Sequence, residues 1–255
     1  MAAVERVTGI HAVASALSET PDRVIRILIQ ADVRPHPARE AIVSEARQAG
    51  IPVEPEQTDY FKRLAAGRNT QGVAAELRAF SYVDLDEVVK ARDHAPLLVV
   101  LDGVSDPQNL GAILRSAAFF GATGVVIPKD RAVHVNPTVE RAAAGAAAML
   151  PVCMVTNLAR ALDELKAGGL WVVGSVPAGG EPITAVDFTV PTALVLGAEG
   201  PGMRRLTTER CDRLVTLPSQ GRMESLNVSV FAGIFLYEAL RQRVLAAPHG
   251  GPGVP

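Results

Sequence analysis

Scarcity narrows the reading of this chain before any motif does. Among 255 residues there are only two cysteines, and aromatics make up 4%. Cys153 and Cys211 stand far apart, with no Cys or His at metal-ligand spacing, so neither a zinc site nor a disulfide framework is expected. The two thiols read as small buried hydrophobes of a reducing compartment. No run of eighteen apolar residues occurs, and the start, Met1-Ala2-Ala3-Val4-Glu5-Arg6, lacks a charged leader followed by an apolar core. Neither a membrane span nor a signal peptide is expected, and the protein is read as cytoplasmic. The Asn227-Val228-Ser229 sequon then carries no glycosylation meaning. Excess charge is missing as well: 25 Lys and Arg face 27 Asp and Glu, a net charge of −2. Any nucleic-acid surface must therefore be local. No Gly-x-Gly-x-x-Gly follows the first strand and no Gly-x-x-x-x-Gly-Lys-Ser/Thr occurs, which removes most support for a dinucleotide fold or a P-loop nucleotidase. His11, His36, His94, His134 and His249 are scattered, none beside a Ser in a nucleophile elbow, so a hydrolytic triad is not indicated.

What is present describes a globular α/β chain, 48% apolar and 20% charged, with Ala and Val carrying much of the apolar content. Residues from about 4 to 80 alternate strand-like and helix-like patterns. Val24–Ile29 reads as a strand, Pro37–Ala49 as a helix closed by Gly50, Ile51-Pro52-Val53 as the start of a strand, and Gly72–Ala75 as another. The charged residues of this part balance, and all but one of its basic residues are Arg, a residue suited to phosphate forks; a solvated mixed surface is the plainer account. Residues 81–95 read as a linker with a short helix at Asp84–Arg92. Residues 96–246 then carry apolar strands at Leu97–Leu101, Gly124–Ile127, Leu170–Val173, Ala193–Leu196 and Leu214–Leu217. Helices are expected between and after them at Asn109–Phe120, Thr138–Ala148, Leu158–Ala167 and Leu226–Val244. Short continuous apolar strands alternating with helices imply a mainly parallel sheet covered on both faces. The Gly- and Pro-rich residues 247–255 read as a disordered tail, and no internal repeat is present.

Three segments carry the chemistry. The first is Leu101-Asp102-Gly103-Val104-Ser105-Asp106-Pro107-Gln108-Asn109-Leu110-Gly111-Ala112-Ile113-Leu114-Arg115. The helix that follows Pro107 is apolar nearly all round and should be buried, which leaves Arg115 as its only charge. A buried guanidinium must be paired or face a cleft, so Arg115 is either a structural ion pair or a cationic site group. Asn109 is either an N-cap or a substrate-orienting amide. In the second segment, Leu194 to Gly202, an apolar strand runs into Gly197-Ala198-Glu199-Gly200-Pro201-Gly202. Its three glycines allow close backbone approach, and the lone Glu199 serves either charge balance, capping or a site. The third, Glu224-Ser225-Leu226-Asn227-Val228-Ser229-Val230, opens the last helix, where unpaired N–H groups can grip a ligand. Ser225 could instead be an N-cap and Asn227 a first-turn residue.

Together and in this order, the three segments resemble the motifs of the SpoU/TrmH family of RNA ribose 2′-O-methyltransferases. Thr8-Gly9-Ile10-His11-Ala12-Val13 and Thr70-Gln71-Gly72-Val73-Ala74 add to it, since they resemble landmarks of the L30e-like substrate-binding domain. The resemblance implies a small L30e-like α/β domain over residues 1–80, followed by a SPOUT-type parallel sheet with helices on both faces and a deep trefoil knot. It implies S-adenosylmethionine as methyl donor, no metal, RNA as substrate and a homodimer with the active site near its interface. Carried over residue by residue, the catalytic positions are Asn109, Arg115, Glu199, Ser225 and Asn227, and the cofactor positions Gly197, Leu217 and Leu226. The expected reaction is attack of a ribose 2′-oxygen on the methyl group, with Arg115 as base or as a charged clamp. Within the family the likeness is greatest to members that modify a guanosine of 23S rRNA. A tRNA enzyme, a ribosome-methylating resistance enzyme and a catalytically silent RNA-binding protein are the alternatives.

Overall fold

The computed structural model describes residues 4–32, 34–65, 69–89, 95–219 and 226–246. The chain divides into two compact units, Met1–Ser81 with Asn136–Glu140, and Tyr82–Val135 with Arg141–Pro255. In the first, β1 (Val4–Thr8), α1 (Ile10–Glu19), β2 (Val24–Gln30), α2 (Pro37–Gln48), β3 (Val53–Glu56), α3 (Thr58–Ala65) and β4 (Val73–Arg78) follow one another. The sheet runs β1-β4-β2-β3, parallel only between β2 and β3. Helical spacing puts Val13, Ala16 and Leu17 of α1 and Ile42 and Ala46 of α2 on one core with Ile27, Val73, Ala75 and Leu77. Phe61 of α3 packs with Leu28 and Ala74. Pro37 opens α2 behind a His36 side chain that accepts from Ala38 N, and Gly50 follows its end at φ +70°.

The two landmark segments of this unit meet. Gly9 N donates to Val73 O at 3.0 Å, and the Gln71 side chain accepts from Ile10 N at 2.9 Å. Gln71 holds φ +52°, and the buried Arg39 donates to its carbonyl at 2.8 Å. β1, α1 and α3 lie where only an unspecified alternation is expected from sequence.

After Ser81 the chain forms α4 (Leu85–Val89), β5 (Leu97–Asp102), α5 (Pro107–Phe119), β6 (Gly124–Pro128), α6 (Pro137–Ala143, of which the residues up to Glu140 fall in the first unit), α7 (Ala146–Met149), β7 (Val152–Val155) and α8 (Leu158–Ala167). It continues through β8 (Trp171–Ser175), β9 (Glu181–Pro182), β10 (Thr192–Gly197), α9 (Arg205–Thr208), β11 (Arg213–Thr216) and α10 (Val228–Ala246). The seven strands are parallel in the order β7-β6-β5-β10-β8-β11-β9. Val88 of α4 and Leu158, Leu162 and Leu165 of α8 pack with Leu98, Val100, Val126, Val172, Ala193 and Val195. The alternate strand residues turn to the opposite face, where α5 and α10 contact β6 and β10. This explains why β5 and β6 are buried throughout and, Asp102 apart, carry no charged residue.

Three expectations are corrected here. The helix expected over Thr138–Ala148 is two, because Ala144 and Gly145 take φ +48° and +88°. The helix after Asp106 is not buried all round, since Arg115 and Phe119 are exposed. The last helix begins at Val228 rather than Leu226. The helix expected over Asp84–Arg92 is described only as far as Val89, and residues 247–255 also lie outside the described residues. Burial pushes the thiols of Cys153 and Cys211 up to about 11 and about 12, so both stay protonated at neutral pH. Among the described residues no helix is long and apolar enough to cross a membrane. Arg243 fastens the end of α10, donating to the carbonyls of Ala95, Pro96, Phe188 and Val190.

The least expected polar feature of the first unit sits in the middle of its sheet. Glu76 is 5% exposed on β4, flanked across the strands by Arg6 and Arg26. Arg6 Nε donates to it at 2.8 Å and Arg26 Nε at 2.9 Å. Burial by itself raises the carboxyl, but the two guanidinium hydrogen bonds outweigh it and hold Glu76 below the usual carboxylate range. A carboxyl depressed in the folded state adds stability above its unfolded pKa and loses it as pH falls through the folded value. Glu76→Gln should therefore cost about 1–3 kcal/mol at pH 7. In urea titrations that gap should shrink toward pH 3; an equal gap at both pH values would show that the charge is not what stabilises.

Candidate active site

The site grows from two adjacent strands. β5 and β10 are neighbours in register, with Asp102 and Gly197 as Cα partners at their C-terminal ends. Loops leaving this edge of a parallel sheet, where the strand order changes direction, are where such folds bind small molecules. The loop after β5 leads into α5, whose N-cap is Asp106: its side chain accepts from Gln108 N at 3.1 Å, and Pro107 takes the first helical position. Asn109 is therefore inside the first turn and is not the cap. It is buried, and its amide is free to turn toward β10.

The loop after β10 is a tight hairpin. Ala198 and Gly202 exchange backbone hydrogen bonds at 3.0 and 3.2 Å, and Gly200 and Gly202 take φ +82° and +69°. A Cβ at Gly197 would fall 2.2 Å from Gly202 C and Met203 N, so no other residue fits that strand end. The hairpin presents Glu199. Its Oε1 accepts from Asn227 Nδ2 at 2.7 Å, Asn109 Nδ2 at 3.1 Å and Val228 N at 3.4 Å. Asn109 Oδ1 in turn accepts from Asn227 Nδ2 at 2.9 Å.

Asn227 has two roles at once. Its Oδ1 accepts from Ser229 N at 2.9 Å and Val230 N at 3.4 Å, which makes it the N-cap of α10. Its Nδ2 reaches Glu199 and Asn109. The structure thus joins Asn109, Glu199 and Asn227 in one hydrogen-bonded cluster. Ser225 lies outside the described residues. Arg115 is not part of the cluster. Six residues beyond Asn109, it is displaced by about 9 Å along α5 and about 120° around it. It is exposed and has no ion pair among the described residues, so no structural salt bridge explains it.

Beside the cluster is a cavity of about 390 Å³. Gly197, Leu217 and Leu226 all line it, and so does Glu199, the one residue shared by cavity and cluster. Further wall comes from the end of β8 and the residues after it (Ser175, Val176, Pro177), the 198–202 hairpin, the chain after β11 (Pro218, Ser219) and the first turns of α10 (Val228, Phe231). The β8 contribution was not legible, because Ser175–Pro177 reads as an ordinary strand end. Also missed was Asp102, buried at the end of β5, which accepts from Arg204 N at 2.7 Å. An Asp ending a strand of otherwise apolar residues was the available signal. Among the described residues no group of three His, Cys, Asp or Glu side chains is arranged to hold a metal ion.

Comparison with known proteins places the chain in a family. Residues 96–237 match the model of the SpoU rRNA Methylase family, and residues 6–83 match that of RNA 2′-O ribose methyltransferase substrate binding. The 23S rRNA (guanosine-2′-O-)-methyltransferase RlmB of Pseudomonas putida is 42% identical over 246 residues, 95% of this chain and 98% of that protein. RlmB of Coxiella burnetii is 42% identical over 251 residues, 97% of this chain and all of that one. Among solved structures, the SpoU methyltransferase AviRb from Streptomyces viridochromogenes in complex with the cofactor AdoMet superposes with a TM-score of 0.65. It is 27% identical and covers 95% of this chain and 92% of its own. On sequence and fold alike, the chain belongs to the SpoU rRNA methylase family.

Proposed function

We propose that this protein transfers a methyl group from S-adenosylmethionine to a guanosine ribose 2′-oxygen of 23S rRNA. The observation that carries the reading is the Asn109–Glu199–Asn227 cluster, which shares Glu199 with the cavity beside it. Full-length similarity to the RlmB proteins of Pseudomonas putida and Coxiella burnetii supports 23S rRNA and guanosine over tRNA. Action on rRNA favours a cytoplasmic place of work. The match of residues 6–83 to a substrate-binding model supports RNA recognition by the first unit, where Arg47 and Arg63 have no ion pair among the described residues.

The cavity fits the methyl donor. Its volume is within the range of small-ligand sites. Gly197, which lines it, has no side chain, so a ligand meets main chain there, while Leu217 and Leu226 supply apolar walls. S-adenosylmethionine, when bound, supplies an electrophilic methyl group. The chain's own residues then have separable tasks. Glu199 Oε1 is saturated by donors, but Oε2 has none among the described residues and is available to a ribose hydroxyl. Asn109 and Asn227 fix the carboxylate. Arg115 supplies a cation that stabilises charge on the attacking oxygen or an adjoining phosphate. We read the second unit as a SPOUT fold with its trefoil knot.

Arg115's exposure, away from the cluster, supports a homodimer. Phe119 is 81% and Tyr237 55% exposed, and Val230, Ile234 and Tyr237 repeat at helical spacing along α10. Phe120 packs edge-on against both Phe119 and Tyr237, making the exposed rings one patch. Such a patch marks an interface, and pairing through it would bring Arg115 to the partner's cavity.

Mapping of 2′-O-methyl marks in a deletion strain tests the function. One guanosine of 23S rRNA should lose its mark and regain it on complementation. Loss of a tRNA mark, or of none, would overturn the reading. Gly197→Ala should abolish cofactor binding in calorimetry with metal-stripped protein, at least a 100-fold loss, because the added methyl meets backbone. Binding within a few-fold of wild type would refute the pocket assignment. Arg115→Ala and Glu199→Ala should each be inactive alone. Co-expressed, they should recover roughly a quarter of wild-type activity, since random pairing puts one intact site in each mixed dimer. No recovery, in mixed dimers shown to form, would mean that Arg115 serves its own subunit.

A further inference from the structure

We propose that Arg204 is a phosphate-binding residue for the RNA substrate, held in place by the buried carboxylate of Asp102. The inference rests on the functional reading above and adds to it a site outside both cluster and cavity. Asp102 ends β5 with its side chain fully buried. One oxygen, Oδ2, accepts from Arg204 N at 2.7 Å. The other, Oδ1, has no hydrogen-bond donor among the described residues and faces Arg204 Nε at 3.3 Å, an ion pair without hydrogen-bond alignment. A buried carboxylate is costly unless a charge compensates it, so Asp102 restrains where this guanidinium goes. Yet Arg204 itself is 43% exposed. Its Nε is turned to the buried acid, and its Nη atoms have no hydrogen bond among the described residues. A guanidinium braced on one edge and open on the other offers the planar fork that phosphate oxygens accept.

Its place in the fold fits a substrate phosphate. The Arg204 guanidinium passes over Gly103: a Cβ there would lie 3.6 Å from Arg204 Nη2, 3.7 Å from Ala198 Cβ and 3.8 Å from Arg131 O. Three loops therefore meet at this point. One leads to Asn109, one carries Glu199 next to Ala198, and one holds Arg131 in a left-handed conformation at φ +57°. Non-glycine residues in that conformation cluster at ligand clamps, and Arg131 is exposed. An RNA strand with its ribose at Glu199 would carry a flanking phosphate across this junction. Asp102 is in this view a positioning residue that acts through Arg204.

The test is equilibrium binding of a 23S rRNA transcript over a salt series, with cofactor binding and thermal melts alongside. Arg204→Ala should weaken RNA binding about 10-fold at 0.1 M salt and lower the slope of log affinity against log salt by about 1, as loss of one phosphate contact does. Cofactor affinity should stay within a few-fold of wild type. Asp102→Asn should weaken RNA binding in the same direction, and the double variant should be no worse than Arg204→Ala, because both changes remove one interaction. Arg204→Lys should recover the salt slope but only part of the affinity. An unchanged RNA affinity and slope in Arg204→Ala would overturn the proposal. So would a joint fall in melting temperature and cofactor affinity, which marks a structural ion pair. Because the readout is binding, a wild-type protein that binds rRNA without methylating it would refute the functional reading and leave this one standing.

Discussion

One carboxylate oxygen organises the site. Glu199 Oε1 gathers hydrogen bonds from Asn109, Asn227 and the N–H of Val228, partners 90, 28 and 29 residues away in sequence. Each donor belongs to a different constraint: a helix first turn, a helix cap, and the unpaired N–H of a helix start. A buried amide left without a partner costs about 1–3 kcal/mol, so removing the acceptor would release all three segments together. The oxygen can be in this place only because β5 and β10 are neighbours with Asp102 opposite Gly197. The hairpin that presents it can close only because Gly197 has no side chain. Sheet order, glycine and carboxylate thus form a hierarchy in which each level fails without the one below.

How much of this was legible follows from the range of the interactions. The strands of the second unit are short apolar runs, and Leu97–Asp102, Gly124–Pro128 and Thr192–Gly197 fall within a residue of where hydropathy places them. The helix Leu158–Ala167 was legible to the residue, since Asn157 caps it and Gly168 closes it. The helix break at Ala144-Gly145 was not, because Ala144 is a helix former that takes φ +48° only in its tertiary setting. Sequence alone offers no pattern for Val152–Val155 either, a strand of four residues next to a Pro.

For the site, residue types could be read but partners could not. Asn109, Glu199 and Asn227 stand out by their places at strand ends and helix starts, yet nothing local says that they touch. The choice between a cap and a functional amide was also falsely posed. Asn227 uses Oδ1 for the helix and Nδ2 for the cluster, so its orientation is fixed by the bland role and employed in the other. Asp106, not Asn109, caps α5, which frees the Asn109 amide. A side chain whose one end is tied by secondary structure is held more firmly than any flexible loop residue.

Arg115 shows the opposite limit. A helix apolar nearly all round argued for burial, and a buried lone guanidinium would have demanded a partner within the chain. Instead the apolar stripe divides: Leu110, Ile113, Leu114 and Ala117 face the sheet, while Phe119 and Arg115 stay outside. An amphipathic period cannot separate a face that meets the chain's own core from one that awaits a second copy, because both exclude water. The same physics would account for the use proposed for it. A cation beside an apolar patch is solvated in the single chain and desolvated when that patch is covered, and a desolvated guanidinium interacts more strongly with developing negative charge. Pairing of the patch and activation of Arg115 would then be a single event.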